Sequence, residues 1–307
     1  MLHQTIDLNP QKTATVTTYV LDSEISYKVK KKRPAMIICP GGGYLMTATK
    51  EGEAVAVEFL GKGYHTFVLR YSTYFQDRMT DIDIVPKINK SARYPQQVLE
   101  LMETIHLLHE NAEIWQIDTS NIFILGFSAG GHVAATLGNN WKNVTFLEQL
   151  SFSPNNDELK PKGIILGYPM IRGDFEAYVL ENAPDSQMIK YQTGYTYDCL
   201  FGTPHPTKEQ IDFTDMTTSV NQDTPPTFVW TTRNDQIIDS MITTKYVERM
   251  CDQQLECEYH LFEDGPHGLS LANSLYSKSE EEINLDVALW IPLVINWLSK
   301  QQSKEKK

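Results

Sequence analysis

Short apolar segments alternate along the chain with longer segments in which apolar residues recur at helical spacing. The apolar runs are rich in β-branched and aromatic residues, which is typical of strands buried on both faces of a sheet. The runs predict strands at Ala35–Cys39, Thr66–Tyr71, Ile122–Leu125, Gly163–Gly167, Thr227–Thr231 and Glu258–Phe262. The longer segments predict helices at Glu51–Leu60, Gln96–Asn111, Ala129–Asn139, Ile242–Gln253 and Glu281–Leu298. This order predicts an α/β fold with a mostly parallel central sheet and helices on both faces.

The start of the chain has a different pattern. Thr13–Val20 and Ile25–Lys31 alternate polar and apolar residues, with many β-branched side chains, and predict an N-terminal antiparallel strand pair. The basic cluster from Lys30 to Arg33 directly precedes the first strand of the parallel sheet, so we interpret it as a solvated strand entrance.

The segment Met170–Pro225 interrupts the alternation and predicts an insertion between two core strands. Aromatic residues give it enough apolar surface to pack as a cap: Phe175, Tyr178, Tyr191, Tyr195, Tyr197, Phe201 and Phe213. We therefore predict one domain over residues 1–307, with a cap-like insertion at about 170–225. The charged tail Gln301–Lys307 is expected to fray.

Composition narrows the class of protein. The formal net charge of -12 over 307 residues argues against nucleic-acid binding as the main function. Residues 1–12 do not resemble a signal peptide, and no apolar run reaches the roughly 18 residues that a membrane span needs. The four cysteines lack metal-ligand spacing, and Cys39 is expected to be a buried small hydrophobe. We expect a cytoplasmic protein with reduced thiols and with no metal or other cofactor. His106 and His109 could share a metal, but a solvated helix face explains their spacing more simply.

A glycine-flanked serine marks the candidate nucleophile. In Gly126-Phe127-Ser128-Ala129-Gly130 the serine lies between an apolar strand and a helix of small residues. Such a turn projects the hydroxyl above the sheet edge and points helix N-terminal amides at the space in front of it. The alternative is a glycine-rich turn that only packs well.

Candidates for an acid and a base follow in the chain. A serine hydroxyl needs a base, which is itself oriented by a third group. Asp235 follows the strand Thr227–Thr231, and we prefer it to Asp239, because a helix N-cap role explains Asp239 without catalysis. His267 has glycines nearby on both sides, in a loop after the next strand, whereas His260 lies within that strand and is interpreted as structural. The alternative for His267 is an ordinary surface-loop histidine.

Three successive glycines follow the first strand of the parallel sheet. Bare backbone amides at this position can approach an anion, and lipases and esterases place an oxyanion-hole donor here. We predict Gly42 or Gly43 as one donor and Ala129 as the other. The sequence does not decide between the two glycines, which differ by one position. A flexible glycine loop is the alternative.

Together these motifs resemble α/β-hydrolase esterases of the acetyl xylan esterase type. The resemblance covers nearly the whole chain and includes Pro40-Gly41-Gly42-Gly43-Tyr44, Glu51-Gly52, Gly63-Tyr64, Phe67-Val68-Leu69-Arg70-Tyr71, Tyr94-Pro95, Gly126-Phe127-Ser128-Ala129-Gly130-Gly131-His132, Tyr168-Pro169, Pro225-Pro226-Thr227-Phe228-Val229-Trp230 and Gly265-Pro266-His267-Gly268-Leu269. It implies a triad of Ser128, Asp235 and His267, and short acyl groups on carbohydrates as substrates, without a cofactor. Thr231, Glu100 and Asp239 depart from the family's usual histidine, aspartate and proline.

The sequence supports three hypotheses of function. The first is a serine carboxylester hydrolase that removes acetyl or another short acyl group from a carbohydrate or related alcohol. The second is a small-amide or peptide hydrolase with the same triad. The missing signal for this hypothesis is a propeller or other gating domain, for which the chain has no room. The third is a non-catalytic ligand-binding relative of such enzymes. The expected partner is a small ester, such as an acetylated oligosaccharide, and neither a nucleic acid nor a membrane is expected to bind. The sequence is compatible with a homo-oligomer.

Overall fold

The computed structural model describes residues 1–22, 24–26, 29–77, 79–81, 83–183, 186–277 and 279–304. The strands are β1 (Leu2–Asp7), β2 (Thr15–Val20), β3 (Glu24–Ser26), β4 (Val29–Lys30), β5 (Arg33–Cys39), β6 (His65–Arg70), β7 (Ile117–Phe127), β8 (Gly163–Gly167), β9 (Thr227–Thr232) and β10 (Cys257–Phe262). The helices are α1 (Glu53–Leu60), α2 (Gln96–Glu110), α3 (Ala112–Trp115), α4 (Ser128–Asn140), α5 (Val144–Leu147), α6 (Glu176–Asn182), α7 (Gln187–Phe201), α8 (Lys208–Phe213), α9 (Met216–Ser219), α10 (Ser240–Asp252), α11 (Leu285–Ala288) and α12 (Trp290–Gln302). Short 3₁₀ turns occur at Thr49–Glu51, Lys90–Ala92 and Glu280–Glu282.

Eight of the described strands form one sheet in the order β1-β2-β6-β5-β7-β8-β9-β10. Strands β6, β5, β7, β8, β9 and β10 are parallel, whereas β2 pairs antiparallel with both β1 and β6. The predicted mostly parallel sheet with helices on both faces is confirmed. In a parallel sheet the carboxyl ends of the strands meet at one edge, where ligands bind in open α/β folds.

The sheet separates two apolar layers, because successive side chains of a strand point to opposite faces. On one face Ile37 of β5 packs in a cluster that includes Val98 of α2. On the other face Ile38 packs in a cluster that includes Phe59 of α1 and Trp297 of α12. The sheet is therefore buried on both sides, as the continuous apolar runs predict.

Two local expectations need correction. The N-terminal antiparallel pair exists, but the partner of β2 is Leu2–Asp7, and Glu24–Ser26 pairs with Val29–Lys30 in a separate two-stranded sheet. Strand β1 lacks an apolar signal because it is a largely exposed edge strand. The helix predicted at Glu281–Leu298 is broken, since the side chain of Asn284 accepts two backbone N–H groups and starts a new helix.

The chain ends also differ from expectation. Helix α12 continues to Gln302, and Gln301 is buried, so the predicted fraying does not begin at Gln301. Residues 305–307 of the predicted tail lie outside the described part of the chain. None of the helices in the described ranges is long and apolar enough to cross a membrane.

Between β8 and β9 the chain forms helices α6 to α9, where an insertion is predicted. Most of its described rings pack onto the core: Tyr197 and Phe201 belong to the buried cluster, Phe175 and Tyr195 pack against it, and Phe213 contacts Tyr94. For these rings the packing role explains their position. The side chain of Tyr191 lies outside the described residues.

Candidate active site

Ser128 begins α4 directly after β7, at the carboxyl edge of the sheet. Its φ of 50° is in the left-handed region, which non-glycine residues adopt only where the surrounding structure imposes it. The turn is close-packed: a Cβ at Gly126 would lie 2.2 Å from the carbonyl oxygen of Gly130, and one at Gly130 would lie 2.0 Å from that of Cys39. The glycines therefore permit the close approach that holds the serine hydroxyl above the sheet.

His267 lies between Ser128 and Asp235. Its Nε2 is 2.9 Å from the Ser128 Oγ, and its Nδ1 is 2.7 Å from the Asp235 Oδ2. Since a carboxylate only accepts, Nδ1–H donates to Asp235, which leaves Nε2 free to accept from the serine hydroxyl. Positive φ angles at Gly265 and Gly268, 152° and 82°, let the loop turn the imidazole toward the sheet. The structure thus brings together the three residues that the sequence predicts.

Two opposing effects act on the pKa of His267. Burial lowers the pKa, but the charge of Asp235 and the hydrogen bond to it raise the pKa, and the charge of Glu51 adds to this. The net effect is a pKa above the ordinary value of 6.5. The imidazole is therefore a stronger base than a free histidine.

Asp235 and Asp239 occupy different environments. The Asp235 side chain is fully buried, and its Oδ1 accepts the backbone N–H groups of Ile237 and Ile238 at 2.8 and 2.9 Å. Asp239 is the N-cap of α10 and accepts the N–H of Met241 at 2.9 Å. The geometry supports Asp235 as the partner of the histidine and explains Asp239 by capping.

The glycine loop adjoins the serine. Gly41 donates its N–H to the buried carboxylate of Glu51 at 2.6 Å, so this amide already has an acceptor. Within the described residues, the N–H groups of Gly42 and Gly43 have no backbone or side-chain acceptor. Ala129 is the second residue of α4, and the first amides of a helix lack intrahelical partners. These amides can serve as the predicted oxyanion donors.

A buried histidine anchors the same loop. Tyr44, which follows the glycines with a φ of 64°, hydrogen-bonds through its hydroxyl to the Nδ1 of His132 at 2.6 Å. The Nε2 of His132 is 2.8 Å from the carbonyl oxygen of Thr214 in the insertion. Burial lowers the pKa of His132 to about 4, so it is neutral near pH 7 and donates one N–H and accepts one O–H. Thr196 also donates to the carbonyl oxygen of Gly43, at 2.8 Å. The insertion therefore helps to hold the glycine loop.

A cavity of about 190 Å³ lies beside Asp235. Its lining is apolar with charged groups at Arg172, Asp174 and Asp239. Tyr178 also lines it, and the hydroxyl of Tyr178 donates to the backbone oxygen of Asp235 at 2.6 Å. Ile238, another lining residue, donates its N–H to the Asp235 carboxylate. The cavity is thus built next to the acid.

His106, His260 and Cys39 make structural contacts outside the candidate triad. The ring of His106 stacks on Phe152 at 3.8 Å and bonds Glu158 at 2.5 Å, so it is not simply part of a solvated helix face. His260 lies in β10, as expected, and contacts Glu258. Cys39 is fully buried, which confirms its expected core position, and all four cysteines are free thiols.

Glu51, Tyr168 and His132 carry no predicted role, although their hydrogen bonds hold the segments around the candidate site. Each occurs in a segment by which the chain resembles the esterases, but none belongs to a local motif with a stated chemistry. Their contacts come from residues distant in the sequence, which is why spacing alone does not reveal them.

The chain is similar to two curated proteins. It is 28% identical over 247 residues to endo-1,4-beta-xylanase B of Butyrivibrio fibrisolvens, and 22% identical over 261 residues to an acetylxylan esterase of Xylanibacter ruminicola. These matches cover 79% and 84% of this chain, but only 33% and 45% of the relatives. The chain therefore spans less than half the length of these relatives.

Solved structures resemble the chain over its full length. The carboxylesterase Cest-2923 of Lactobacillus plantarum superimposes with a TM-score of 0.76 at 27% identity, and the match covers 100% of both chains. An acetyl ester-xyloside bifunctional hydrolase of Caldicellulosiruptor lactoaceticus gives a TM-score of 0.69 at 26% identity, covering 97% of this chain and 96% of that one. The BD-FAE family matches residues 21–250. On this match and this fold, the chain belongs to the BD-FAE family of α/β-hydrolases.

Proposed function

We propose that the protein is a serine esterase that removes acetyl and other short acyl groups from carbohydrates or related alcohols. One observation carries the proposal: the hydroxyl of Ser128, on a strained turn, lies 2.9 Å from a histidine that is itself 2.7 Å from a buried carboxylate. A serine nucleophile needs this arrangement of base and orienting acid.

In the proposed acylation step, the Oγ of Ser128 attacks the ester carbonyl carbon while Nε2 of His267 takes the hydroxyl proton. Asp235 accepts the Nδ1 hydrogen bond throughout and stabilises the imidazolium. The carbonyl oxygen becomes an oxyanion, which accepts hydrogen bonds from Ala129 and from Gly42 or Gly43. When the intermediate collapses, His267 protonates the departing alkoxide and the acyl group stays on the serine.

Deacylation repeats the sequence with water. His267 removes a proton from the water molecule, whose oxygen attacks the acyl carbon, and the oxyanion forms again at the same amides. Collapse releases the carboxylic acid and returns the proton to Ser128. None of these steps requires a group other than the substrate, water and the residues named.

The substrate class rests on the relatives. The cavity beside Asp235 adds polar groups near the site: its charged residues and the hydroxyl of Tyr178 can hydrogen-bond to alcohol groups, although neither Ser128 nor His267 lines it. Among the similar proteins, one is named an acetylxylan esterase and another an acetyl ester-xyloside hydrolase, which supports the same class here.

Hydrolysis of a chain-length series tests the proposal. We expect p-nitrophenyl acetate and butyrate, as well as acetylated xylo-oligosaccharides, to be hydrolysed, with acetate preferred over octanoate in kcat/KM by at least about tenfold. The Ser128→Ala variant should fold normally, because the hydroxyl has no packing role. Its turnover should fall by about six orders of magnitude, because the nucleophile is lost.

Circular dichroism and thermal unfolding of the Ser128→Ala protein provide the control for folding. Comparable esterase activity in that protein would falsify the assignment of the nucleophile. Faster turnover of octanoate than of acetate would reject the short-acyl proposal and favour a lipase-like site.

A further inference from the structure

A second carboxylate is buried beside the candidate nucleophile. Glu51, in the 3₁₀ turn before α1, is only 3% exposed. Its Oε2 accepts the N–H of Gly41 at 2.6 Å, and its Oε1 accepts the hydroxyl of Tyr168 at 2.7 Å. Burying a carboxylate is costly unless both oxygens are hydrogen-bonded, and here both are. The two hydrogen bonds therefore offset much of the solvation cost of burying this acid.

The first hydrogen bond acts on the glycine loop. A Cβ at Gly41 would lie 2.8 Å from the Cβ of Ser128 and 2.9 Å from the Oε2 of Glu51, so the backbone of Gly41 is held between these two side chains. Because Glu51 takes the N–H of Gly41, that amide cannot serve an oxyanion. The donor is then Gly42 or Gly43, and the hydrogen bond to Glu51 removes Gly41 from the candidates.

The second hydrogen bond acts on the histidine loop. The hydroxyl of Tyr168 donates to Glu51 and accepts the N–H of Ser270 at 2.9 Å, and the hydroxyl of Ser270 donates to the carbonyl oxygen of Lys50 at 2.8 Å. The ring of Tyr168 lies edge-on to His267 with 5.0 Å between centroids. One chain of hydrogen bonds thus joins the turn of Glu51 to the loop that carries His267.

The charge of Glu51 also acts on His267. The carboxylate of Glu51 raises the pKa of His267, as Asp235 does, while Lys50 lowers it. Burial raises the pKa of Glu51 itself; the hydrogen bonds that it accepts and the nearby His267 and Lys50 oppose this. Lys50 is ion-paired with Glu282 at 2.8 Å.

We propose that Glu51 is a positioning residue of the reaction, which holds the glycine loop through Gly41 and the histidine loop through Tyr168, so that amide donors and base face Ser128 together. The proposal gives Glu51 no contact with the reacting atoms. It rests on the proposed function, because the two loops need a common reaction at Ser128 for their alignment to matter.

The variant Glu51→Gln tests the proposal, since it keeps the side-chain size and removes the charge and one acceptor. We expect kcat for p-nitrophenyl acetate to fall about tenfold to a hundredfold with KM within about twofold, because the loss is confined to transition-state alignment. The acid limb of kcat/KM should also move to lower pH, since a carboxylate that raises the pKa of His267 is gone.

Tyr168→Phe removes one hydroxyl and provides a second variant. It should lower kcat at least about fivefold, and the double variant with Glu51→Gln should lose less than the product of the two single losses, since both break one network. A merely structural role of Glu51 predicts a lower unfolding temperature without a changed kcat or acid limb.

Glu100→Gln is the matched control. Glu100 on α2 is also fully buried, and its carboxyl accepts the backbone N–H and the hydroxyl of Ser72, at 2.7 and 2.5 Å; burial raises its pKa to about 7. We expect Glu100→Gln to lower the unfolding temperature but to keep kcat and the acid limb of the parent. An equal loss of kcat in Glu100→Gln would overturn the proposal, because any buried carboxylate would then have the same effect.

A fluorophosphonate probe separates this inference from the proposed substrate. The Oγ of Ser128 bonds to phosphorus, fluoride leaves, and His267 takes the hydroxyl proton. Labelling therefore needs the same alignment of groups but no carboxylic ester substrate. Labelling of Glu51→Gln should be at least about tenfold slower than that of the parent. If the parent is labelled but hydrolyses no short ester, the proposed function fails and the labelling rates still decide the role of Glu51.

Unchanged kcat, labelling rate and acid limb in Glu51→Gln overturn the proposal. If that variant does not fold, Tyr168→Phe decides: parental kcat and labelling rate in Tyr168→Phe overturn the proposal, and slower values at an unchanged unfolding temperature support it.

Discussion

At the residue scale, Asp235 and Asp239 show how environment separates two identical side chains four positions apart. Asp235 is fully buried and orients His267, whereas Asp239 caps a helix. We expect Asp235→Asn to reduce kcat by about four orders of magnitude, because an amide favours the wrong histidine tautomer. Asp239→Asn should leave kcat within about threefold, since Asn caps helices as well as Asp. Steady-state kinetics of both variants measures the difference, and the reverse ranking would move the acid role to Asp239.

The pH dependence of the parent enzyme reports the state of His267. A base acts in its neutral form, so kcat/KM should rise with pH as His267 loses its proton. Asp235 and Glu51 place the pKa of His267 above 6.5, and the midpoint of this rise should therefore lie above pH 6.5. Initial rates at subsaturating p-nitrophenyl acetate, corrected for the ionisation of nitrophenol, give the profile. A midpoint below the ordinary histidine value, or no change between about pH 5 and 8, would contradict a histidine base in this environment.

Local signals suffice for some residues of the site and fail for others. Ser128, Asp235 and His267 each follow a strand in a turn of recognisable composition, and the structure places His267 within hydrogen-bond distance of both Ser128 and Asp235. Glu51 meets Gly41 and Tyr168, which are 10 and 117 positions away, through side-chain contacts that no spacing rule encodes. Its environment exists only in the folded chain.

At the element scale, α4 depends on glycine for its position. A Cβ at Gly130 would lie 2.0 Å from the backbone oxygen of Cys39 and 2.5 Å from that of Pro40, whereas one at Gly138 would meet a terminal methyl of Ile164 at 2.9 Å. Backbone atoms cannot move aside, but a side-chain methyl can. We expect Gly130→Ala to destabilise the fold by about 3 kcal/mol or more, and Gly138→Ala to change stability by less than about 1 kcal/mol.

Thermal unfolding followed by circular dichroism compares the two glycine variants. Both add a single methyl group to the same helix, so Gly138→Ala controls for the change in helix propensity. Equal unfolding temperatures of Gly130→Ala and the parent would mean that α4 does not lie against the carboxyl end of β5 as described.

The elements themselves were predictable to different degrees. Five of the parallel strands, β5 to β9, contain continuous buried runs and therefore leave apolar runs in the sequence, whereas the edge strand β10 is only partly buried. Strand β1 leaves no apolar signal because its side chains are mostly exposed, so the predicted pairing partner of β2 is wrong. The predicted C-terminal helix merges separate elements, because the capping role of Asn284 is visible only with the backbone N–H groups that it accepts.

At the scale of the whole molecule, the insertion between β8 and β9 adds contacts to the site as well as bulk. Thr214 and Thr196 bond to His132 and to the glycine loop, and Tyr178 bonds to the backbone of Asp235. The aromatic content of the segment predicted its order, but the sequence does not reveal which rings pack and which reach the site. Which rings pack and which reach the site depends on the path that the chain takes between β8 and β9.

Strand β10 lies at the far edge of the sheet and pairs with β9 alone, and the loop after it carries His267. During synthesis, the ribosome must therefore add 139 residues after Ser128 before the proposed base exists. At typical elongation rates this takes on the order of ten seconds. A nascent chain with a finished serine turn has no imidazole to activate it, so the proposed hydrolytic chemistry begins only once translation has supplied the last strand of the sheet.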